Sequence, residues 1–206
     1  SYFHAKDCLA GFDGKSLILP GNRDNPRSMG SHFPETLRPQ VLQIHGWTLV
    51  GLDTSTGKVG QDTQLWLRNL LASKETERML IFSHFALAQH TGAQPGQVVA
   101  NEDSLQECMG MSNRIYGVFS GHRNAVFVDR SQKTAHVTCP QIVHYPCAWN
   151  AIELYPDGFL CWTREIEDIR LIDLSRCEGN RWLSPEWAAQ RIGKPDHRSF
   201  GHFPWS

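Results

Sequence analysis

Three short apolar runs in this chain each end in a turn that carries a residue able to bind a metal or a phosphate. Ser16-Leu17-Ile18-Leu19 passes through Pro20 into Gly21-Asn22-Arg23-Asp24. Met79 to Phe82 leads to Ser83-His84, and Tyr116 to Phe119 leads to Ser120-Gly121-His122-Arg123-Asn124. Short apolar runs bounded by turn signals read as buried strands. In open α/β sheets, ligands bind beyond the carboxyl ends of the strands. Three strands laid out in this way bring their turn residues to one edge of a sheet. A glycine before the ligand residue lets the backbone come close to an ion or a phosphate. Each turn alone is an ordinary tetrapeptide; their joint occurrence in this order carries the argument.

The rest of the chain alternates short apolar runs with helical patterns, which predicts stacked α and β layers. Residues 2–12 read as a helix end stopped by Gly14. Residues 25–40 read as a loop with a weak helical piece. Val41 to Ile44 and Thr48 to Leu52 form a predicted hairpin turned at His45-Gly46. Asp62 to Ala72 is the clearest helix, capped by Asp62 or Thr63, with Leu65, Trp66, Leu70 and also Leu67 on its apolar face. Residues 88–101 read as a loop and Ser104 to Met111 as a short helix. Strands follow at 125–128, 134–138, 149–154 and 159–163. The last two are joined by Tyr155-Pro156-Asp157-Gly158, a hairpin signal. A domain is expected over residues 1–175. Residues 176–206 are expected to be an irregular aromatic-rich tail, with Trp182, Trp187, Phe200, Phe203 and Trp205 on a surface.

With 206 residues the chain is long enough for one domain with a sizeable core. Its 20 Lys+Arg against 21 Asp+Glu give a net charge of -1, so no bulk field draws it to nucleic acid or to an anionic membrane. Six cysteines without a Cys-x-x-Cys spacing argue against a zinc ribbon and read as free thiols in an intracellular, reducing compartment. No apolar run is long enough to predict a transmembrane span. The chain opens at Ser1 with neither Met nor a signal-peptide pattern, so Ser1 reads as other than the native start. Processing on import into an organelle would fit such a start.

The three turn motifs resemble blocks of the calcineurin-like metallophosphoesterases, a family whose blocks run Asp-x-His, Gly-Asp, Gly-Asn-His-Asp/Glu, a lone His, and Gly-His-x-His. Gly21-Asn22-Arg23-Asp24 is similar to the third block, His84 to the fourth, and Gly121-His122-Arg123-Asn124 to the fifth. Gly51-Leu52-Asp53-Thr54, Gly60 with Trp66-Leu67, Cys139 to Val143, Tyr145 to Trp149 and Glu153 to Gly158 resemble the cyclic-nucleotide phosphodiesterase branch. The resemblance spans roughly residues 2–168. It implies an α/β/β/α four-layer sandwich of two mixed sheets, with the first strand or strands absent from this chain. It also implies hydrolysis of phosphoesters by two metal ions about 3.5–4 Å apart. Carried over, Asn22, His84 and His122 would serve one ion, of manganese, iron or zinc.

The sequence departs from the family pattern at two motif positions. Asn124 stands where the second His of Gly-His-x-His would bind the other ion, and an amide is the weaker ligand. Arg23 stands where the family has the His that neutralises phosphate and protonates the leaving group. Arg stays protonated, so it can grip phosphate but not act as an acid. Arg123 is a further candidate phosphate contact, although surface salt bridging is the plainer reading of both arginines. The remaining histidines match no block, and His90 reads as an exposed loop residue.

The favoured expectation is a degenerate phosphoesterase domain, with one metal or none, acting as a structural, accessory or ligand-sensing subunit beside protein partners. An active phosphodiesterase is the alternative, with a rate lowered by about 100- to 1000-fold through the altered groups. A binder of phosphate or of a phosphorylated small molecule without turnover is the third.

Overall fold

The computed structural model describes residues 2–73, 77–90, 96–110 and 112–204. Helix α1 (Tyr2–Ala10) and helix α2 (Pro26–His32) precede the first sheet. Strands β1 (Gln40–Ile44) and β2 (Trp47–Leu52) make the expected antiparallel hairpin. Its turn residues His45 and Gly46 both take positive φ, 46° and 79°. A two-residue hairpin turn of this hand needs that conformation to match strand twist.

Helix α3 (Gln61–Ala72), β3 (Arg78–Ser83), α4 (Glu102–Gly110) and β4 (Ile115–Ser120) follow, then β5 (Phe127–Asp129) and β6 (Ala135–Thr138). Six strands form one sheet in the order β1-β2-β3-β4-β6-β5. β2, β3, β4 and β6 run parallel, with an antiparallel strand at each edge. β3 and β4 sit side by side at its centre, so Ser83-His84 and Gly121-His122 leave from adjacent carboxyl ends. The completely buried pattern of β4 reflects its place between two neighbours with both faces covered.

β7 (Ala148–Leu154), β8 (Phe159–Glu165) and β9 (Ser199–His202) form a second sheet, antiparallel throughout rather than mixed. The two sheets pack face to face over Trp47, Leu80, Tyr116, Phe119, Phe159 and Phe200. The other face of the large sheet is covered by α3 and α4 through Leu67, Leu71 and Leu105 against Val50, Met79, Ile81 and Val118. Among the described residues no helix is long and apolar enough to cross a membrane. The chain therefore folds as an α/β protein with two facing sheets and a helical layer.

Three expectations are corrected. Residues 16–19 belong to no strand and join no ladder. The Gln40 side chain takes the place of a neighbouring strand, accepting from the Ile18 N–H at 3.2 Å and donating to the Ile18 carbonyl. In α3 the cap is Gly60, without a side-chain bond, and the most buried residues are Leu67 and Leu71, while Leu65 faces solvent. Residues 176–206 are not an irregular tail. The expected boundary at 175 falls inside α5 (Ile169–Trp182), whose N-cap Asp168 accepts from the Arg170 and Leu171 N–H groups.

Beyond α5, a short helix α6 (Pro195–Arg198) leads into β9, which completes the second sheet. Of the expected surface aromatics, Trp182 is exposed, but Trp187 and Phe200 are buried. The local sequence did not reveal that Phe200 has a place waiting between the two sheets. Trp205 lies outside the described residues.

Candidate functional site

The turn at 21–24 is closed from both sides. The Asp24 N–H donates to the Gly21 carbonyl at 3.1 Å, and the Asp24 carboxylate accepts the Gly21 N–H at 2.7 Å. Tyr2 of α1 braces it, donating its hydroxyl to Asp24 at 2.9 Å and accepting from the Asn25 N–H. Gly21 lets the turn sit close to the ring: a Cβ there would stand 3.1 Å from His84.

His84 is fixed through its backbone. Buried Thr54, just past β2, accepts the N–H groups of both His84 and Phe85 on one Oγ1, at 3.0 and 2.8 Å. His122 follows the end of β4 with φ 59°, and its ring leans on Phe85 with centroids 4.2 Å apart. Sequence reasoning quoted Thr54 but gave it no role. A threonine two residues past one strand, with a histidine directly past the next, was the available signal.

These elements bring the predicted half-site together. His84 Nε2 lies 3.0 Å from Asn22 Oδ1 and 3.1 Å from His122 Nδ1. Burial is the first cause holding the His84 imidazolium down, with the His122 charge second; Asp24 opposes them. Burial and then the Arg23 guanidinium do the same for His122. Both rings favour the neutral form that a metal requires.

The donor set can be compared with an ion's needs. Donors about 2.0–2.1 Å from a zinc-like ion stand roughly 2.9–3.4 Å from one another, and His84 Nε2 stands within that range of both Asn22 Oδ1 and His122 Nδ1. The set is nevertheless one amide and two imidazoles. Among the described residues, no group of three or more His, Cys, Asp or Glu could hold a metal. Asp24, the nearest carboxylate in the motif, is occupied by Gly21 and Tyr2. Asn22, His84 and His122 thus offer three neutral donors that one divalent ion could use.

Asn124 is the residue that does not join. It takes φ 54°, forms no hydrogen bond among the described residues to the other three, and lines a separate cleft beneath α5. Neither Arg23 nor Arg123 enters an ion pair among the described residues, against the surface salt bridging expected of them. Arg23 is exposed beside His122, while the Arg123 charge acts on His90 and Arg191. The C-terminal segment is tied to this loop, since the Val126 N–H donates to the Arg191 carbonyl at 2.8 Å.

His90 is not an exposed loop residue. It is buried, stacked between Phe127 and His136 at 5.9 and 5.5 Å. This makes it part of the packing under the sheet edge rather than of the candidate centre.

No family model matches the sequence, and no curated protein matches it. Solved structures do. A dimetal phosphatase from Danio rerio is 14% identical, with a TM-score of 0.57, covering 70% of this chain and 68% of its own. The structure of PhoD is 10% identical, with a TM-score of 0.48, covering 69% of this chain and 45% of its own. At the first likeness the chain has a metallophosphoesterase-like fold; identity this low speaks to fold alone.

Proposed function

We propose that this chain is a phosphoesterase-fold protein that binds a phosphate-bearing ligand without two-metal turnover, serving as an accessory or ligand-sensing component beside protein partners. The observation that carries the reading is the composition of the converged site. His84 Nε2 stands 3.0 Å from Asn22 and 3.1 Å from His122 with Arg23 beside them, and the family's second imidazole is replaced by Asn124, which lines the neighbouring cleft. A guanidinium with no ion pair among the described residues is suited to a phosphate oxygen and unsuited to giving up a proton. The single-ion fit makes manganese, iron or zinc an optional helper to anion binding. A fold alone does not bring its relatives' reaction with it. The dimetal phosphatase likeness supports the phosphate as the common chemistry. Exposed Ile142 and Trp149 support protein partners, since apolar and aromatic surface is enriched at interfaces.

The test pairs metal analysis with two assays on the purified protein in Mn²⁺: hydrolysis of bis-p-nitrophenyl phosphate and of cyclic AMP, and calorimetric titration of inorganic phosphate. The reading expects no more than about one ion per chain, no turnover, and phosphate binding that Arg23→Gln weakens at least about tenfold. Two ions per chain with turnover lost in His84→Ala would overturn it in favour of an active phosphodiesterase.

A further inference from the structure

A cleft of about 530 Å³ opens beside the candidate site, and Asn124 lines it. This volume lies within the range of about 300–1,000 Å³ usual for small-molecule sites. Besides Asn124, its walls come from three separate stretches. Leu171, Leu174, Trp182 and Leu183 are contributed by α5 and the residue after it, and Val143 by the loop before β7. Trp187 and Arg191 close the cleft from the C-terminal segment.

The walls are apolar and unusually open to water. Val143 is 61% exposed, Leu174 60%, Trp182 69% and Leu183 66%. Apolar surface of this extent, concentrated on one cleft, marks a place where something binds. The cleft is also polarised. At its Asn124 side stand Arg191, over the Trp187 ring at 4.4 Å, and Arg123, whose charge acts on Arg191. Trp187 Nε1 and Arg191 Nε are buried donors with no acceptor among the described residues. The carboxylate in the wall, Glu178, accepts from Trp182 Nε1 at 2.6 Å.

We propose that this cleft receives the aromatic or aliphatic group of an organic phosphate whose phosphoryl end lies at Asn22, Arg23 and His122. Asn124, two residues after His122, lines the cleft and so links it to the loop that carries the phosphate pocket. The inference rests on the reading of that site as a phosphate pocket and adds the class of ligand. A phosphate with an apolar substituent places its anion against the arginines and its ring or chain against Leu174, Trp182 and Val143. A free phosphate uses the first half only. A sugar phosphate offers hydroxyls to a wall that has few groups to meet them.

The test titrates the full chain with inorganic phosphate, 1-naphthyl phosphate and the neutral 1-naphthol. It is repeated on Leu174→Asp and Val143→Asp, exposed positions on two different elements. Burying most of a naphthyl ring predicts 1-naphthyl phosphate binding at least about tenfold tighter than inorganic phosphate. Each variant should bring that ratio towards one, and 1-naphthol should compete with the naphthyl ester.

Equal affinity for phosphate and its naphthyl ester overturns the cleft assignment and leaves the phosphate pocket standing. Failure of both phosphates to bind, with 1-naphthol still bound, overturns the phosphate pocket and with it the joined ligand. A wild-type dimer that Leu174→Asp splits, with an unchanged affinity ratio, overturns the ligand in favour of an interface between copies of the chain.

Discussion

His84 Nε2 and His122 Nδ1 stand 3.1 Å apart at the carboxyl ends of two adjacent parallel strands. The sheet register sets this approach, because Ser83 pairs with Ser120 and each histidine follows within two residues. Each ring is kept toward neutrality chiefly by its own burial.

The pair supplies two of the three neutral donors that one divalent ion would use. Zinc titration with an optical competitor should therefore show about one site of modest affinity. His84→Ala should weaken it at least about tenfold, in the range seen when metal-site support is lost. Asn22→Ala should weaken it less, since an amide oxygen is the poorer ligand for such an ion.

Thr54 carries more of the site than its place outside the motifs suggests. Its Oγ1 accepts two N–H groups, from His84 and Phe85, in a fully buried position. Thr54→Val keeps the shape and leaves both donors without their acceptor. Each such orphan costs about 1–3 kcal/mol, so a stability loss of roughly 2–6 kcal/mol is expected. Urea unfolding measures it, and Thr54→Ser, which keeps the acceptor, should recover most of the loss.

The central layout was legible because short-range signals and topology agree there. Met79 to Phe82 and Tyr116 to Phe119 read as strands from their apolar runs, and His45-Gly46 reads as a turn from its dipeptide. Residues 16–19 carry the same apolar signal but have no ladder, since Gln40 meets Ile18 with a side chain and not with a strand. The end of the chain was illegible for another reason. α5 carries exposed Ile169, Leu174 and Trp182 and an internal Gly179, so its periodicity does not mark a buried face. Its N-cap, Asp168, was not recognised as a helix start in the sequence. β9 exists through pairing with β8 about forty residues earlier, a non-local contact that no local window contains.

Gly179 is the point where the end of the chain locks onto the rest. A Cβ at this position would fall 2.1 Å from the Trp187 ring. In most exposed helices, Gly→Ala is stabilising by up to about 1 kcal/mol. Here Gly179→Ala should instead destabilise by about 1–3 kcal/mol through overpacking. Trp187 fluorescence should shift toward the spectrum of a solvated indole. The double variant Gly179→Ala, Trp187→Ala should recover part of the helix-propensity gain, which separates a clash from a general loss of fold.

Acid should loosen the sheet edge around His90. Burial is the main cause that lowers its pKa to about 4; the His136 and Arg123 charges act the same way, and Asp129 acts against them. His136 is lowered too, first by burial. An unfolded histidine titrates near 6.5. Between that value and about 4 the unfolded chain binds more protons at this position than the folded one, so stability rises with pH across the window. Falling pH must therefore remove stability, beginning near 6.5 and continuing to about 4, by an amount on the order of 2 kcal/mol for His90. Urea midpoints measured at intervals from pH 7 to pH 4.5 give the slope directly. In His90→Phe, which keeps a ring between Phe127 and His136, the slope should flatten whatever the absolute stability of the variant. An unchanged slope would mean that His90 already accepts a proton in the folded protein, and that Asp129 outweighs burial at this position.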